Sequence, residues 1–397
     1  CVTHDRALAE AHAARDRARA GLRLSPVDGV PVSWKDLFDS AGTATEAGTA
    51  LLKGRVPARD AVALRNATAM GLVCLGKTHM SELAFSGLGL NPITATSPNV
   101  NFPGGAPGGS SSGAAASVAF NLAVAGIGSD TGGSVRIPSA WNDLVGLKTT
   151  AGRLSLEGVV PLCLKFDTVG PLARSVEDAA LLFGALEGGK APDLRGATLK
   201  GRRLAVLQTL VMDDLREAPA RAFAGAVEKF RAAGAEIVEI EVPELAEAHA
   251  LSPVLFSAEA YGLWRDVIEA NPGAMFPEIL DRFRGGKQFS GPDYVAAWAR
   301  LEAARGAWDR ATAGYDAVLC PTAPILPPDV DRLLSDSDYY VAENLLTLRN
   351  TRVGNLMGLC ALSLPTGIPS CGVQLLAAPD TEAALLRLGA AAEAALA

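Results

Sequence analysis

This chain of 397 residues contains no C-x-x-C pair, no apolar run that approaches the ~20 residues of a membrane span, and no basic stripe. Each absence excludes a class of function. With a formal net charge of -7 and charges of both signs mixed along the chain, nothing is present to draw a nucleic-acid backbone. Without an apolar span, or a leader passing from basic to apolar to small residues, the chain reads as soluble, with no membrane partner. The six cysteines (Cys1, Cys74, Cys163, Cys320, Cys360 and Cys371) are scattered and mostly lie in apolar runs. That is the pattern of reduced core thiols and points to the cytoplasm. Histidine is scarce, at four residues, and there is no H-E-x-x-H, no Cys/His cluster and no carboxylate pair at ligand spacing. No metal site is therefore expected.

What is present is the material for a large core: 49% of residues are hydrophobic and 20% charged, which excludes a disordered or fibrous chain. An amphipathic helix is expected from about Val2 to Ala20, and because the chain opens on Cys1 rather than Met, the N-terminal part is expected to be incomplete. Turns at Ser25-Pro26 and Asp28-Gly29 lead to a short strand, Val30 to Val32. A helix from about Asp60 to Met70 and a strand from Leu72 to Gly76 repeat the alternation, and an apolar strand-like segment runs from Leu122 to Ile127. The second half continues with strands at Leu204 to Leu207 and Glu236 to Val242, separated by a helix from Ala220 to Ala233. A helical region then runs from about Ser252 to Ala313. Strand-like runs follow at Ala317 to Cys320, Ala361 to Leu364 and Gly372 to Ala377, before a terminal Ala/Leu helix. The class is α/β, and with no linker, repeat or break in composition the expected count is one domain over 1–397.

Between Pro103 and Gly133 the composition shifts to Gly, Ser and Ala. In Ser129-Asp130-Thr131-Gly132-Gly133-Ser134-Val135-Arg136, two glycines before a serine allow a tight turn that aims successive N–H groups at one point, as an oxyanion requires. Ser134 can then be a nucleophile, or the octapeptide can be an ordinary loop. Upstream, Gly108-Gly109-Ser110-Ser111-Ser112-Gly113 enters an Ala-rich helix, where it can act as a helix cap and flexible loop or bring hydroxyls to a site. It lacks the lysine of a phosphate-binding Walker loop. Lys35, in Gly29-Val30-Pro31-Val32-Ser33-Trp34-Lys35-Asp36, lies just past a short strand. It is either an exposed ion pair with Asp36 or a buried lysine that desolvation turns into a base. The second reading means lowering a pKa by roughly three units, a cost of ~4 kcal/mol that a functional site would explain. His79 is the one histidine near glycine-rich sequence, but no G-x-S-x-G elbow surrounds Ser134 to support a Ser-His-Asp triad.

Taken together and in order, the Gly29–Asp36, Gly108–Gly113 and Asp130–Arg136 runs resemble the amidase signature family. Leu75-Gly76-Lys77-Thr78, Phe85-Ser86-Gly87, Gly146-Leu147-Lys148, Asp167-Thr168-Val169-Gly170-Pro171 and Ala361-Leu362-Ser363-Leu364-Pro365 extend the resemblance over nearly the whole chain. It implies one large mixed β-sheet covered by helices on both faces. It also implies cleavage of a carboxamide without a metal or organic cofactor. Ser134 would be the nucleophile, Ser110, behind a cis Gly109-Ser110 peptide, the bridging serine, and Lys35 the base. The oxyanion would lie on the backbone N–H groups of Thr131, Gly132, Gly133 and Ser134, with Ser111, Ser112, Asp130 and Arg136 in support. Trp34 departs from the family's usual small or aliphatic residue, which puts the shape of the pocket near Lys35 in question, His79 stands where asparagine is common, and Thr366 to Gly372 looks shorter than the family's turn.

The partner implied is a small-molecule amide, and a homodimer is the default assembly. Three other readings stay open: the glutaminase subunit of a tRNA-dependent amidotransferase, a catalytically silent binding protein of this fold, and a nucleotide-binding α/β protein. Phe166-Asp167-Thr168 resembles general amidases more than the amidotransferase subunits, which more often read Leu-Asp-Gln. Trp34, Cys163, Phe166, Tyr261, Trp264 and Trp298 are candidate pocket contacts, and no basic residue for a substrate carboxylate stands out.

Overall fold

The computed structural model describes residues 1–397. Its strands are β1 (Pro31–Lys35), β2 (Val73–Thr78), β3 (Ala125–Ser129), β4 (Val145–Lys148), β5 (Val169–Ala173), β6 (Arg203–Leu207), β7 (Glu236–Ile240), β8 (Ala317–Pro321), β9 (Cys360–Pro365) and β10 (Gly372–Ala377). All belong to one ten-stranded sheet in the order β2-β1-β3-β5-β4-β9-β10-β8-β6-β7. Parallel pairs occupy both ends, β2/β1/β3 and β8/β6/β7. The central strands run antiparallel to their neighbours. The late strands join the early ones through β9, which pairs with β4.

Every residue of β3, β4, β5, β8 and β10 is buried. Successive side chains on a strand point to opposite faces, so burial at every position means that both faces are covered. The covering elements are helices, among them Ser112–Ala119 against β3 and Glu382–Leu396 against β9 and β10. One hydrophobic cluster runs from Val32 on β1 through Leu362 on β9 to Leu396. No helix is long and apolar enough to cross a membrane.

Three expectations change. First, β1 continues through Lys35 instead of ending before it. Second, β4 and β5 are strands that the periodicity did not reveal: β4 has four residues, and β5 carries Gly170 and Pro171, which weaken a strand signal. Third, the region after Ser252 is broken at Pro272 and Pro277 into helices Ala258–Ala270, Pro277–Arg284 and Gly291–Thr312. A further helix, Ser337–Leu356, was not expected. It buries Asn344, Thr347, Arg349, Asn350, Thr351, Arg352 and Asn355, so it shows no apolar stripe. Leu362 is fully buried at the centre of the sheet. Leu362→Ala should therefore lower the unfolding free energy by about 2–5 kcal/mol in urea titrations.

Candidate active site

Lys35 ends β1 beside the C-terminal end of the parallel strand β3, the edge at which open α/β sheets collect ligands. Asp36 turns away and pairs with Lys77 Nζ at 3.1 Å, so the exposed Lys35–Asp36 pair does not form. Lys35 is fully buried, and its Nζ lies 2.7 Å from Ser110 Oγ and 2.8 Å from Ser129 Oγ. No carboxylate touches it. Burial pulls the ammonium down to about 7, although the more distant charges of Asp167 and Asp130 favour the cation. Trp34, one residue earlier, points to the other face, where it packs edge-on against Phe38 at 5.3 Å, and so does not shape the pocket.

The serine loop approaches this lysine from the N-terminus of helix Ser112–Ala119, and the Gly109–Ser110 peptide is cis. A Cβ on Gly109 would lie 2.5 Å from Gly89 N, so only glycine allows the loop to pack this closely. Ser111 ties the loop to β3: its Oγ donates to the Ser129 carbonyl at 3.2 Å and accepts from Ser129 N–H at 3.3 Å. Its own N–H donates to the Ser134 carbonyl at 3.2 Å, which joins the two serine loops. Ser112 Oγ is buried without a partner.

The second loop is organised by a buried ion pair. Arg136 Nη2 donates to Asp130 Oδ1 at 2.8 Å and Nε to Oδ2 at 3.0 Å. The same guanidinium reaches the Thr351 carbonyl, Gln374 Oε1 and Asn355 Oδ1. Burial alone would push the Asp130 carboxyl up, but the Arg136 charge and hydrogen bonds outweigh it and hold the group well below the usual carboxylate range. Asp130 also accepts from the N–H groups of Gly133 (2.9 Å) and Val135 (3.1 Å). The Gly133 N–H is thus already engaged, whereas those of Thr131, Gly132 and Ser134 make no hydrogen bond within the chain. Gly133 has φ +139°, and a Cβ there would lie 2.2 Å from Thr351 Oγ1. The Thr131 hydroxyl is fixed on Asp167, whose carboxyl burial pushes up to about 6.

Ser134 Oγ makes no hydrogen bond and faces a cavity of about 20 Å³, room for a single water. Thr131, Gly132, Phe85, Leu162, Phe256, Leu348, Arg282 and Arg352 are among the residues lining it. None of the six pocket contacts expected from sequence lines it. Phe166 and Trp298 lie behind it, Phe166 packing at a tilt against Phe256 (4.5 Å) and stacking on Trp298 (5.1 Å). His79 is exposed and borders a separate cleft with Asp36 and Lys77, so it is no partner for Ser134. Sequence reasoning missed Ser129, although it stands in the motif already singled out. It also missed Arg282 and Arg352, which carry no local motif. No three His, Cys, Asp or Glu side chains converge anywhere in the chain.

Known proteins resemble this chain over nearly its whole length. The family described as Amidase matches residues 1–386. A 2-amino-5-chloromuconic acid deaminase from Comamonas testosteroni is 35% identical, covering 94% of this chain and 83% of the relative. A glutamyl-tRNA(Gln) amidotransferase subunit from Anaeromyxobacter sp. (strain K) is 32% identical, covering 99% of this chain and 87% of the relative. A crystal structure of an amidase superposes with a TM-score of 0.89 at 31% identity, covering 100% of this chain and 91% of the other.

The ion pair that shapes the Ser134 loop is fully buried, so removing one partner strands the other. Asp130→Asn should cost about 3–5 kcal/mol in equilibrium unfolding, against less than ~1 kcal/mol for an exposed pair. Asp193→Asn, at an exposed pair with Arg195, is the control.

Proposed function

The chain belongs to the amidase family, hydrolases of amide C–N bonds, and on that premise we propose that it cleaves a carboxamide through an acyl-enzyme on Ser134, with Ser110 as bridge and Lys35 as base. The observation that carries this reading is Lys35 Nζ, buried without a carboxylate and 2.7 Å from Ser110 Oγ. A neutral amine there has a lone pair to accept the Ser110 proton while its own hydrogen donates to Ser129. Ser110 takes the proton of Ser134 as Ser134 Oγ attacks the carbonyl carbon. The resulting oxyanion is met by the unengaged N–H groups of Thr131, Gly132 and Ser134, with Gly133 supplying the turn. Collapse breaks the C–N bond, and the proton returns through Ser110 to the leaving nitrogen. Water then attacks the ester, with the same relay taking its proton, and the acid is released.

Ser110 Oγ is engaged with Lys35 Nζ, and its contact with Ser134 Oγ has to close for the relay to run. Such contacts commonly tighten only when substrate is seated. The 397 residues act in this reading as one amidase domain, and the five buried, unpaired cysteines suit a cytoplasmic setting. The similarity to an amidotransferase component favours one second reading, a glutaminase that works only with partner subunits. Ammonia release from simple amides by the isolated chain separates the two. Activity on its own supports the amidase, and glutamine hydrolysis that appears only with partners supports the glutaminase.

Ser134→Ala and Ser110→Ala should each abolish ammonia release while leaving the unfolding transition in place. Because the neutral lysine is the active form, kcat/KM should rise with pH through about 7 and level off above it. A flat profile between about pH 5 and 9 would contradict the assignment. Lys35→Met should remove activity yet raise stability at about pH 7 by ~1–3 kcal/mol. The unfolded chain binds a proton there that the folded chain holds only partly, and the variant escapes that difference but loses two hydrogen bonds.

A further inference from the structure

Two arginines border the cavity in front of Ser134, and neither has a counter-ion. Arg282 comes from helix Pro277–Arg284 and Arg352 from helix Ser337–Leu356, and both line the cavity with Thr131, Gly132 and Ser134. Arg352 is 6% exposed, and its guanidinium makes no hydrogen bond and no ion pair. Arg282 Nη1 is buried with no partner. The only groups holding these cations are aromatic faces: Phe85 lies 4.4 Å from the Arg282 guanidinium and Phe256 6.0 Å from that of Arg352. Arg136, which is fully buried, shows what a structural arginine looks like in this protein, with every nitrogen engaged.

The arrangement is unfavourable as it stands. Burial pulls Arg282 down to about 10, and burial together with the charge of Arg282 pulls Arg352 down to about 9. Two like charges facing one apolar-walled space without an anion are a cost that packing does not explain. Asp167, the carboxylate that holds the Thr131 hydroxyl, also accepts from the N–H groups of Leu162 and Cys163 and pairs with neither arginine.

We infer that Arg282 and Arg352 form an anion subsite that binds a free carboxylate of the substrate, so that the amides cleaved are short amido acids such as the monoamide of a small dicarboxylic acid. The inference rests on the reading of Ser134 as nucleophile, because the unengaged N–H groups beside Ser134 and the two guanidinia open on the same cavity. One short molecule can place its amide carbonyl on the first and its carboxylate on the second. Planar guanidinium matches carboxylate geometry, and Phe85, Leu162, Phe256 and Leu348 exclude the water that would weaken the pairing. The small volume limits chain length, and entry requires the lining side chains to move apart.

The test compares succinamate with butyramide, which has the same amide and chain length but no charge. Wild type should favour succinamate by about 100-fold in kcat/KM, the scale of hydrogen bonds to a charged group. Arg282→Gln and Arg352→Gln should each cut the succinamate-to-butyramide ratio of kcat/KM to less than about 10, a change in selectivity that simple misfolding does not give. Equal rates on the two amides, or variants that lose both activities together, would overturn the inference. Calorimetry on Ser134→Ala separates this from failure of the nucleophile assignment, since binding needs no chemistry. Succinamate binding that exceeds butyramide binding and disappears on adding Arg352→Gln supports the subsite even if wild type hydrolyses neither. Absent or equal binding overturns it.

Discussion

The buried amine of Lys35, within hydrogen-bond reach of two serine hydroxyls and no carboxylate, is the constraint on which the rest of the site depends. Holding a lysine neutral near pH 7 costs roughly 4 kcal/mol relative to leaving it in water, a large share of the stability of an ordinary domain. The fold supplies the conditions. β1 carries Lys35 into a sheet covered on both faces, Asp36 is drawn aside by Lys77, and Ser110 and Ser129 satisfy the amine without charging it. A carboxylate in place of either serine would restore the ammonium and remove the proposed base.

The opposite device shapes the neighbouring loop. Asp130 keeps its charge because Arg136, Asn355 and three backbone N–H groups surround it, and those same contacts fold Thr131 to Ser134 around the carboxylate. Arg136 extends the network to Gln374 on β10 and to helix Ser337–Leu356, so the loop bearing the proposed nucleophile is anchored to strands and helices far away in sequence. A charge kept by pairing and a charge weakened by burial thus stand side by side, which is how one site can set the protonation of two groups in opposite directions.

Much of this was legible in the sequence, for physical reasons. The glycines of Gly108–Gly113 are forced by close backbone approach and Gly133 by its positive φ and the Thr351 side chain, so the two loops announced themselves. The strands β1, β2, β6 and β8 to β10 are apolar runs bounded by turn residues. What was hidden involves contacts between distant segments. Lys35 beside Asp36 looks like an ion pair until the sheet sends one inward and the other to Lys77. Helix Ser337–Leu356 buries polar residues around much of its circumference, which erases the apolar stripe that would reveal it. Arg282 and Arg352 are ordinary helix residues until tertiary structure brings both to one cavity. Residues that draw meaning from partners far along the chain leave no local pattern.

The central claim is that Ser134 becomes acylated, and the most direct measurement is the intact mass of the protein quenched in acid during turnover of an activated ester or amide, followed by peptide mapping. A mass increase equal to the acyl group is expected on Ser134, absent from Ser134→Ala and not accumulating in Lys35→Ala. Turnover with an adduct on another residue, or undiminished turnover by Ser134→Ala, would contradict it.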